Sequence, residues 1–256
     1  MDGSGDDASR LALNDAERRL DRPVPFERRT KLNKDEYYQV ILDGVARYLE
    51  SPFLTDLVKT LVRFTDAHNV DFADAMGKNQ IASKKWLIDE LCRVTDGRFG
   101  QVYLLGGWYG LLAAMLLHDG RPRIDKVTSI DLDPTCEDVA RSLNRAHVSE
   151  GKFEAVTADI CAIDYHALRS NGAQIAEALV INTSCEHLPD FDGWYRRIPA
   201  GMLQVLQSNN LFDDPEHVNC VPDLDALVRQ APMSEILFAG ELKLNRYSRF
   251  MLIGRK

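Results

Sequence analysis

The pattern of apolar and polar positions changes near residue 98 of this 256-residue chain. Before that point, apolar residues recur every three to four positions, the spacing of one buried helix face. After it, short apolar runs alternate with helical stretches, and this alternation predicts a parallel sheet with helices on both faces. The predicted strands are residues 101–105, 126–131, 153–158, 177–183, 202–207, 234–244 and 247–254.

The end of the chain breaks the parallel pattern. Only Asn245 and Arg246 separate the last two predicted strands, and so short a connection cannot cross over a parallel sheet. These two strands therefore form an antiparallel hairpin that follows five parallel strands. The helices expected between and after the strands are residues 109–118, 134–148, 164–171, 194–198 and 223–230.

The region before residue 98 shows helical patterns only. Asn33 and Glu36 have the spacing of a capping box, in which each side chain accepts the backbone N–H of the other residue, so a helix should begin near Lys34. Pro23 and Pro25 separate this helix from the one before it, because proline lacks the N–H that a helix needs. The predicted helices are residues 11–20, 34–49, 54–65 and 79–91.

These patterns divide the chain into three parts. Residues 1–10 are rich in glycine and acidic side chains, and we expect them to form a disordered tail. Residues 11–97 form a helical appendage, and residues 98–256 form an α/β domain. We expect the appendage to act as a lid, since closing a site excludes water and fixes the geometry of the reactants.

Composition narrows the class of protein. Apolar residues make up 45% of the chain, enough for a sizeable core, but no run approaches the roughly 18 consecutive apolar residues of a membrane span. A net charge of −8 argues against a protein that tracks a nucleic-acid backbone. The first residues lack the basic-then-apolar order of an export signal, and the five cysteines are odd in number. We therefore expect a cytoplasmic protein with reduced thiols, no nucleic-acid partner and no membrane contact.

A glycine cluster at the end of the first strand is the most informative motif. Gly106, Gly107 and Gly110 lie between an apolar strand and an apolar helix, where glycine lets the backbone approach a ligand and the helix N-terminus offers free N–H groups. Asp131 ends the second strand about 20 residues later, where nucleotide-binding βαβ units place an acid for the ribose hydroxyls. Its alternative role, capping the next helix, suits Asp133 better because a proline follows that residue.

The glycine cluster, Asp131 and the terminal hairpin jointly resemble the class I S-adenosylmethionine (SAM)-dependent methyltransferases over about residues 98–256. The sheet of that superfamily has seven strands, with the last strand antiparallel beside the sixth, whereas NAD-binding Rossmann domains lack this ending. The resemblance implies an α/β fold with a seven-stranded Rossmann-like sheet. It also implies SAM as the cosubstrate or the sole substrate.

The resemblance further implies which residues hold SAM. The loop after the first strand would wrap the methionine half, Asp131 would accept the ribose hydroxyls, and Asp159 would accept the adenine amino group. The acid that usually precedes the glycines is replaced by Leu104 and Leu105, which leaves the contact to the SAM amine unassigned. The implied cofactor residues are Gly106, Gly107, Trp108, Tyr109, Gly110, Asp131, Leu132, Asp159, Ile160 and Asn182.

Six polar or reactive residues in succession follow the fourth strand, at the sheet edge where α/β enzymes bind ligands. Asn182 is placed to orient the acceptor or the SAM backbone. His187 is a candidate general base, since imidazole ordinarily titrates near neutral pH. Two alternatives stay open: Cys185 as a nucleophile, and a structural role in which Ser184 or Glu186 caps a helix.

A zinc site is a further alternative at this edge. Cys185, His187, His217 and Cys220 are four zinc-competent residues. The two pairs lie on different loops, beyond the fourth and fifth strands, and the Cys-x-His spacing is tight. We expect a site without a metal.

The second substrate is expected beside the ends of the fourth and fifth strands, under the lid. The candidate substrate contacts are Tyr37, Tyr38, Ser184, Ser208 and Asn209. Tyr38 is also a candidate catalytic residue, together with Asn182 and His187. Alternatively, Tyr37 and Tyr38 belong to a buried stripe of their helix. Ser208 and Asn209, after the fifth strand, are alternatively ordinary turn residues. Tyr247 and Arg249, in the hairpin, are expected to be sheet-face residues.

Three functions compete. Methyl transfer to a small metabolite needs alignment more than acid–base catalysis, and the Pro-Pro-Tyr motif of amine-directed methyltransferases is absent. The Gly-Gly-Trp-Tyr-Gly loop and the Asn-Thr-Ser-Cys-Glu-His edge are similar to azetidine-2-carboxylate synthases, which cyclise the aminobutyrate arm of SAM and release methylthioadenosine. A non-catalytic SAM-binding module is the third. We expect a small-molecule partner, and the sequence is compatible with a homodimer.

Overall fold

The computed structural model describes residues 33–170 and 177–256 of the chain. The chain divides into two compact units, Met1–Ile41 and Leu42–Lys256. The larger unit contains the whole sheet and every element that surrounds the cleft described below.

The described part of the smaller unit begins the first helix, α1 (Lys34–Tyr48). Its start is a capping box: the N–H of Glu36 donates to Asn33 Oδ1 (2.9 Å), and the N–H of Asn33 donates to Glu36 Oε2 (3.0 Å). This capping prediction is confirmed. Tyr37 and Tyr38 are exposed, and their rings contact each other edge to face. The predicted tail and first predicted helix precede Asn33 and lie outside the described residues.

Seven described strands form a single sheet: β1 (Arg98–Leu105), β2 (Arg123–Asp131), β3 (Phe153–Thr157), β4 (Glu177–Asn182), β5 (Leu203–Asn209), β6 (Glu235–Lys243) and β7 (Ser248–Arg255). Their order across the sheet is β3-β2-β1-β4-β5-β7-β6. The first five strands pair in parallel, and β7 runs antiparallel between β5 and β6. The predicted sheet and its antiparallel ending are confirmed.

Helices cover both faces of this sheet. Beyond α1 they are α2 (Pro52–Ala75), α3 (Lys78–Val94), α4 (Leu111–Asp119), α5 (Thr135–Leu143), α6 (Arg145–Ser149), α7 (Tyr165–Ser170), α8 (Phe191–Arg197) and α9 (Leu224–Gln230). No helix in the described part of the chain combines the length and apolar character needed to cross a membrane.

Two helices differ most from the sequence prediction. Helix α2 extends ten residues beyond its predicted end at residue 65, because neither proline nor glycine interrupts it before Gly77, and Phe72 and Ala75 are buried on its last turns. The helix predicted over residues 134–148 is divided at Asn144. The side-chain amide of that residue donates to the carbonyls of Ala140 and Gly110, which ties the break to the loop after β1.

The hydrophobic core lies on both faces of the sheet. On one face, Leu87, Ile88 and Leu91 of α3 are buried against the strands. On the other, Trp194 of α8 is the largest fully buried side chain. Helices α2 and α3 thus belong to the same compact unit as the sheet. That unit starts at Leu42, whereas the sequence pattern places the start of the α/β domain at residue 98.

Candidate functional site

The carboxyl ends of the parallel strands open into a cleft of about 940 Å³ within the larger unit. Parallel strands end at the same sheet edge, and that edge is where α/β proteins place their ligands. The lining comes from the loops after β1, β2, β4 and β5, the end of α2, the start of α3 and the β6–β7 turn.

The glycine loop after β1 is packed so tightly that two of its glycines have no free space for a side chain. The N–H of Gly107 donates to the carbonyl of Ile130 (3.0 Å), and a Cβ at this position would overlap Ser129 Oγ. Gly110 has a φ of +71°, and a Cβ there would lie 2.8 Å from Asn144 Nδ2. The loop backbone can therefore lie directly against β2, which brings it beside Asp131.

Asp131 is held in place by backbone N–H groups. Its Oδ2 accepts the N–H of Trp108 (2.7 Å), and its Oδ1 accepts the N–H of Asp133 (3.0 Å). Trp108 keeps a left-handed φ of +47°, a conformation that costs a non-glycine residue about 1–3 kcal/mol and that recurs at functional sites. The carboxylate lines the cleft, and each oxygen retains a lone pair for a hydroxyl donor. Asp133, rather than Asp131, contacts the start of α5: its Oδ1 accepts the N–H of Thr135 (2.8 Å), the first residue of that helix.

The residues predicted to hold an adenine lie next to Asp131 but outside the cleft lining. The N–H of Ala158 donates to the carbonyl of Asp131 (2.9 Å), so the segment after β3 follows the segment after β2. Leu132 and Asp159 are exposed, and the carboxylate of Asp159 accepts the N–H of Cys161 (2.8 Å). Ile160 is half-buried. Their adenine contacts stay a prediction.

Aromatic side chains from the glycine loop and two acids from α2 also line the cleft. The rings of Trp108 and Tyr109 stack at 5.1 Å, and Tyr109 is 2% exposed. Burial, followed by the nearby carboxylate of Asp71, raises the pKa of Tyr109 to about 12, so it remains a neutral phenol. Asp71 and Asp74 are exposed and line the cleft. They supply the acids that the glycine loop itself lacks. Sequence reasoning missed both, because they lie in the part of α2 beyond its predicted end.

Asn182, at the end of β4, is buried behind the cleft wall. It is 1% exposed, its Oδ1 accepts the N–H of Ser184 (2.8 Å), and its Nδ2 has no hydrogen-bond partner within residues 33–170 and 177–256. Ser184 itself lines the cleft beside Gly106. Cys185 is fully buried, and burial raises the pKa of its thiol well above the usual range, which opposes a role as a nucleophile.

Glu186 forms a buried ion pair with a residue from the hairpin. Its Oε1 accepts Arg249 Nη2 (3.1 Å) and Asn209 Nδ2 (2.6 Å), and the second amino group of the guanidinium donates to the carbonyl of Thr183 (2.7 Å). Arg249 was expected on the sheet face. The structure corrects this: β7 begins opposite the carboxyl end of β5, where Arg249 pairs with Asn209, so Arg249 lines the cleft, as does Tyr247 just before the strand. Among the described residues Oε2 of Glu186 has no hydrogen-bond partner.

Ser208 and Asn209 are fully buried and do not line the cleft. Strand β5 continues to Asn209, two residues beyond its predicted end, so neither residue lies in the turn. Asn209 is connected to the cleft through the hydrogen bond from its side-chain amide nitrogen to Glu186 Oε1. Tyr37 and Tyr38 belong to the smaller unit, and their predicted roles stay predictions.

Two histidines meet at the cleft wall beyond β4 and β5. The rings of His187 and His217 lie 4.8 Å apart and nearly perpendicular. His217 Nδ1 lies 3.1 Å from the carbonyl oxygen of Leu211. Cys220 Sγ contacts Asn209 Oδ1 and the Leu211 carbonyl. The two histidines of the zinc alternative are thus brought together, while its cysteines are engaged elsewhere.

Lys84 is a site residue that sequence reasoning missed. It reaches the cleft from α3, is half-buried, and donates from Nζ to Gln80 Oε1 (2.6 Å). Burial, followed by the charge of Arg249, lowers the pKa of its ammonium group to about 7. A signal existed: Lys84 is spaced three and four residues from Ile81 and Ile88, on the apolar face of its helix.

Comparisons by sequence and by structure differ in outcome. No protein-family model and no curated protein matches the sequence. Magnesium protoporphyrin IX methyltransferase from Synechocystis PCC 6803, solved with bound S-adenosylhomocysteine (SAH), matches the structure with a TM-score of 0.51 at 14% identity, over 77% of this chain and 99% of that chain. The N-methyltransferase NodS from Bradyrhizobium japonicum WM9 matches with a TM-score of 0.47 at 13% identity, over 68% of this chain and 96% of that chain. The larger unit has the methyltransferase fold.

On this methyltransferase fold the cleft carries an excess of negative charge. Among the described lining residues, seven acidic side chains face three basic ones. The acids are Asp71, Asp74, Asp131, Asp133, Glu186, Asp214 and Glu216, and the bases are Lys78, Lys84 and Arg249. Because Lys84 has a pKa near neutrality, the cleft favours cationic ligands at physiological pH.

Proposed function

We propose that the protein binds SAM in this cleft and transfers its methyl group to a small metabolite. The observation that carries the proposal is the loop from Gly106 to Gly110, packed against β2 and hydrogen-bonded through Trp108 to the carboxylate of Asp131. This arrangement lies at the carboxyl edge of a sheet with the methyltransferase fold. The bound SAH of the magnesium protoporphyrin IX methyltransferase supports the same ligand class here.

The residues present suit the charges of SAM. Its ribose presents two hydroxyl donors, and Asp131 offers two carboxylate oxygens whose orientation is already fixed. Its ammonium group needs an acid, and Asp71 and Asp74 supply carboxylates in the cleft lining, with Asp71 Oδ2 3.5 Å from Tyr109 Oη of the glycine loop. Its sulfonium suits an aromatic surface, which Trp108 provides.

Methyl transfer places modest demands on the protein. When bound, SAM supplies an electrophilic methyl group: a lone pair of the acceptor bonds to the methyl carbon while the carbon–sulfur bond breaks and its electrons remain on sulfur. Lys84, uncharged in a large fraction of molecules near pH 7, can take the proton that the acceptor nitrogen or oxygen releases. His187, exposed at the cleft wall, is a second candidate for this role.

Cyclisation of SAM is a second candidate, favoured by two observations. The glycine loop carries no carboxylate of its own, and the neutral form of Lys84, about half of the molecules near pH 7, could deprotonate the SAM amine in the cleft. The free amine would then attack the γ-carbon, the carbon–sulfur bond to that carbon would break, and methylthioadenosine would leave with the electron pair. The second product is azetidine-2-carboxylate.

Product analysis separates these functions. The purified full chain is incubated with SAM alone, and in parallel with SAM and pools of small amines, phenols and carboxylic acids. Methyl transfer predicts SAH only when an acceptor is present. Methylthioadenosine from SAM alone would replace the proposal with cyclisation, and SAM binding without any turnover would leave a non-catalytic binding module.

A further inference from the structure

Three metal-competent side chains converge on the cleft wall beyond β4. One candidate ligand atom each from Glu186, His187 and His217 lies within 4.8 Å of the other two. We propose that these three residues bind a divalent first-row transition metal ion. This proposal is independent of the proposed SAM binding, because a metal ion can be titrated into the protein in the absence of SAM.

The orientation of His217 suits metal coordination. Since a carbonyl oxygen only accepts hydrogen bonds, the 3.1 Å contact with the Leu211 carbonyl assigns the proton to Nδ1. Nε2 then carries the free lone pair. Metal-binding histidines usually fix their second ring nitrogen in this way, which sets both tautomer and ring direction.

Glu186 offers a carboxylate oxygen that the surrounding residues leave unsatisfied. The side chain is almost fully buried, and Oε1 is already held by Arg249 and Asn209. Oε2 is shielded from solvent and has no hydrogen-bond partner among the described residues. A buried oxygen without a partner is unfavourable, and a bound cation would satisfy it.

His187 completes the set and has room to move. Its side chain is exposed, whereas the other two are fixed by hydrogen bonds. Ligand atoms around a tetrahedral metal with bonds of about 2.0–2.1 Å stand roughly 3.3 Å apart, so the cluster, whose atoms lie within 4.8 Å of one another, must close by at most about 1.5 Å. Rotation of the exposed imidazole can supply that movement. Asp214, whose Oδ2 lies 3.9 Å from His217 Nε2, is within reach as a further ligand.

The ligand types restrict the metal. Two imidazoles and one carboxylate suit zinc, iron(II), cobalt(II) or nickel(II), whereas magnesium and calcium prefer oxygen ligands alone. Three protein ligands leave one or more coordination positions open toward the cleft. Those positions would take water or an oxygen or nitrogen of the second substrate. The excess of acidic groups around the cleft offsets the added positive charge.

Cobalt(II) is the probe that tests this site. Untagged full chain is treated with EDTA, freed of chelator by dialysis and titrated with cobalt(II) without SAM. We expect one ion per chain, weak visible absorption bands, no thiolate-to-cobalt charge-transfer band, and displacement by zinc. Since loss of a residue that merely supports a ligand already weakens metal binding about 10–100-fold, His187→Ala and His217→Ala should each weaken it by at least that factor. His166→Ala, which removes an exposed histidine on α7, is the matched control and should leave binding unchanged.

Two results would overturn the proposal: no stoichiometric cobalt binding by the wild type, or binding that persists in both histidine variants. His187 is exposed, so its variant should fold, and circular dichroism and urea unfolding in EDTA check this. SAM affinity is measured separately on the metal-free protein. Metal binding without SAM binding would refute only the proposed function. SAM binding without metal binding would refute only the metal site.

Discussion

Replacing Lys84 with methionine should stabilise the protein, and by more at neutral than at alkaline pH. The folded protein lowers the pKa of this ammonium group from 10.5 to about 7, mainly because burial removes its hydration. Between these two values the unfolded chain binds more protons than the folded one, so the stability of the wild type rises with pH in this window. Methionine has a similar length and no charge, and therefore no such dependence.

The magnitude follows from the shift in pKa. Each pKa unit corresponds to 1.36 kcal/mol, and at pH 7 the folded lysine is already about half neutral. Between pH 7 and pH 9 the wild type should therefore gain about 2 kcal/mol relative to Lys84→Met. The side chain of Gln80 loses its partner in the variant at both pH values, so that effect cancels in the comparison.

The assay is urea unfolding of both proteins at pH 7, 8 and 9, with EDTA and a thiol reductant present. Lys85→Met is the matched control: it removes a neighbouring but exposed ammonium group on the same helix, and its effect should be the same at each pH. A stability difference between Lys84→Met and wild type that does not change with pH would refute the reasoning. The ammonium group would then be hydrated and charged, and Lys84 could not serve as a base near neutral pH.

Three further predictions follow from the same contacts. Gly107→Ala should lower the free energy of unfolding by about 1–3 kcal/mol in a urea titration, because the new Cβ overlaps Ser129 Oγ, and addition of Ser129→Gly should recover part of this loss. Glu186→Ala should destabilise by about 3–5 kcal/mol, since it leaves the buried guanidinium of Arg249 unpaired; Glu186→Gln, which can still accept the hydrogen bond, should lose less, and equal losses would contradict this account. If Lys84 is the base, turnover of wild type should rise as pH passes through about 7, and Lys84→Met should lose roughly 10²–10⁴-fold in rate together with that pH dependence.

The sheet could be predicted from the sequence because its signals are local. Strand and helix periodicity, and the two-residue connection at Asn245 and Arg246, are read within short windows. The glycine loop and Asp131 could also be predicted from the sequence. They combine glycines that permit close backbone approach with an acid at a fixed distance along one βαβ unit.

The rest of the site could not be predicted because its members come from distant parts of the chain. Lys84, Glu186 and Arg249 lie on α3, after β4 and on β7, and only the strand order brings them to one edge. The pairing of His187 with His217 likewise depends on β4 and β5 being neighbours. The pattern of apolar residues within a short window assigns such residues to a helix or a strand. It does not show which helices and strands are neighbours in the fold.

The central claim, that this cleft binds SAM through Asp131, is tested most directly by titration calorimetry. We expect wild type to bind one SAM per chain. Loss of one charge-assisted acceptor is worth about 1.5–3 kcal/mol, so Asp131→Asn should bind roughly 10–100-fold more weakly. Asp125→Asn, an exposed acid at the other end of β2, should match the wild type. Absence of SAM binding by the folded wild type, or equal affinities for wild type and Asp131→Asn, would contradict the account.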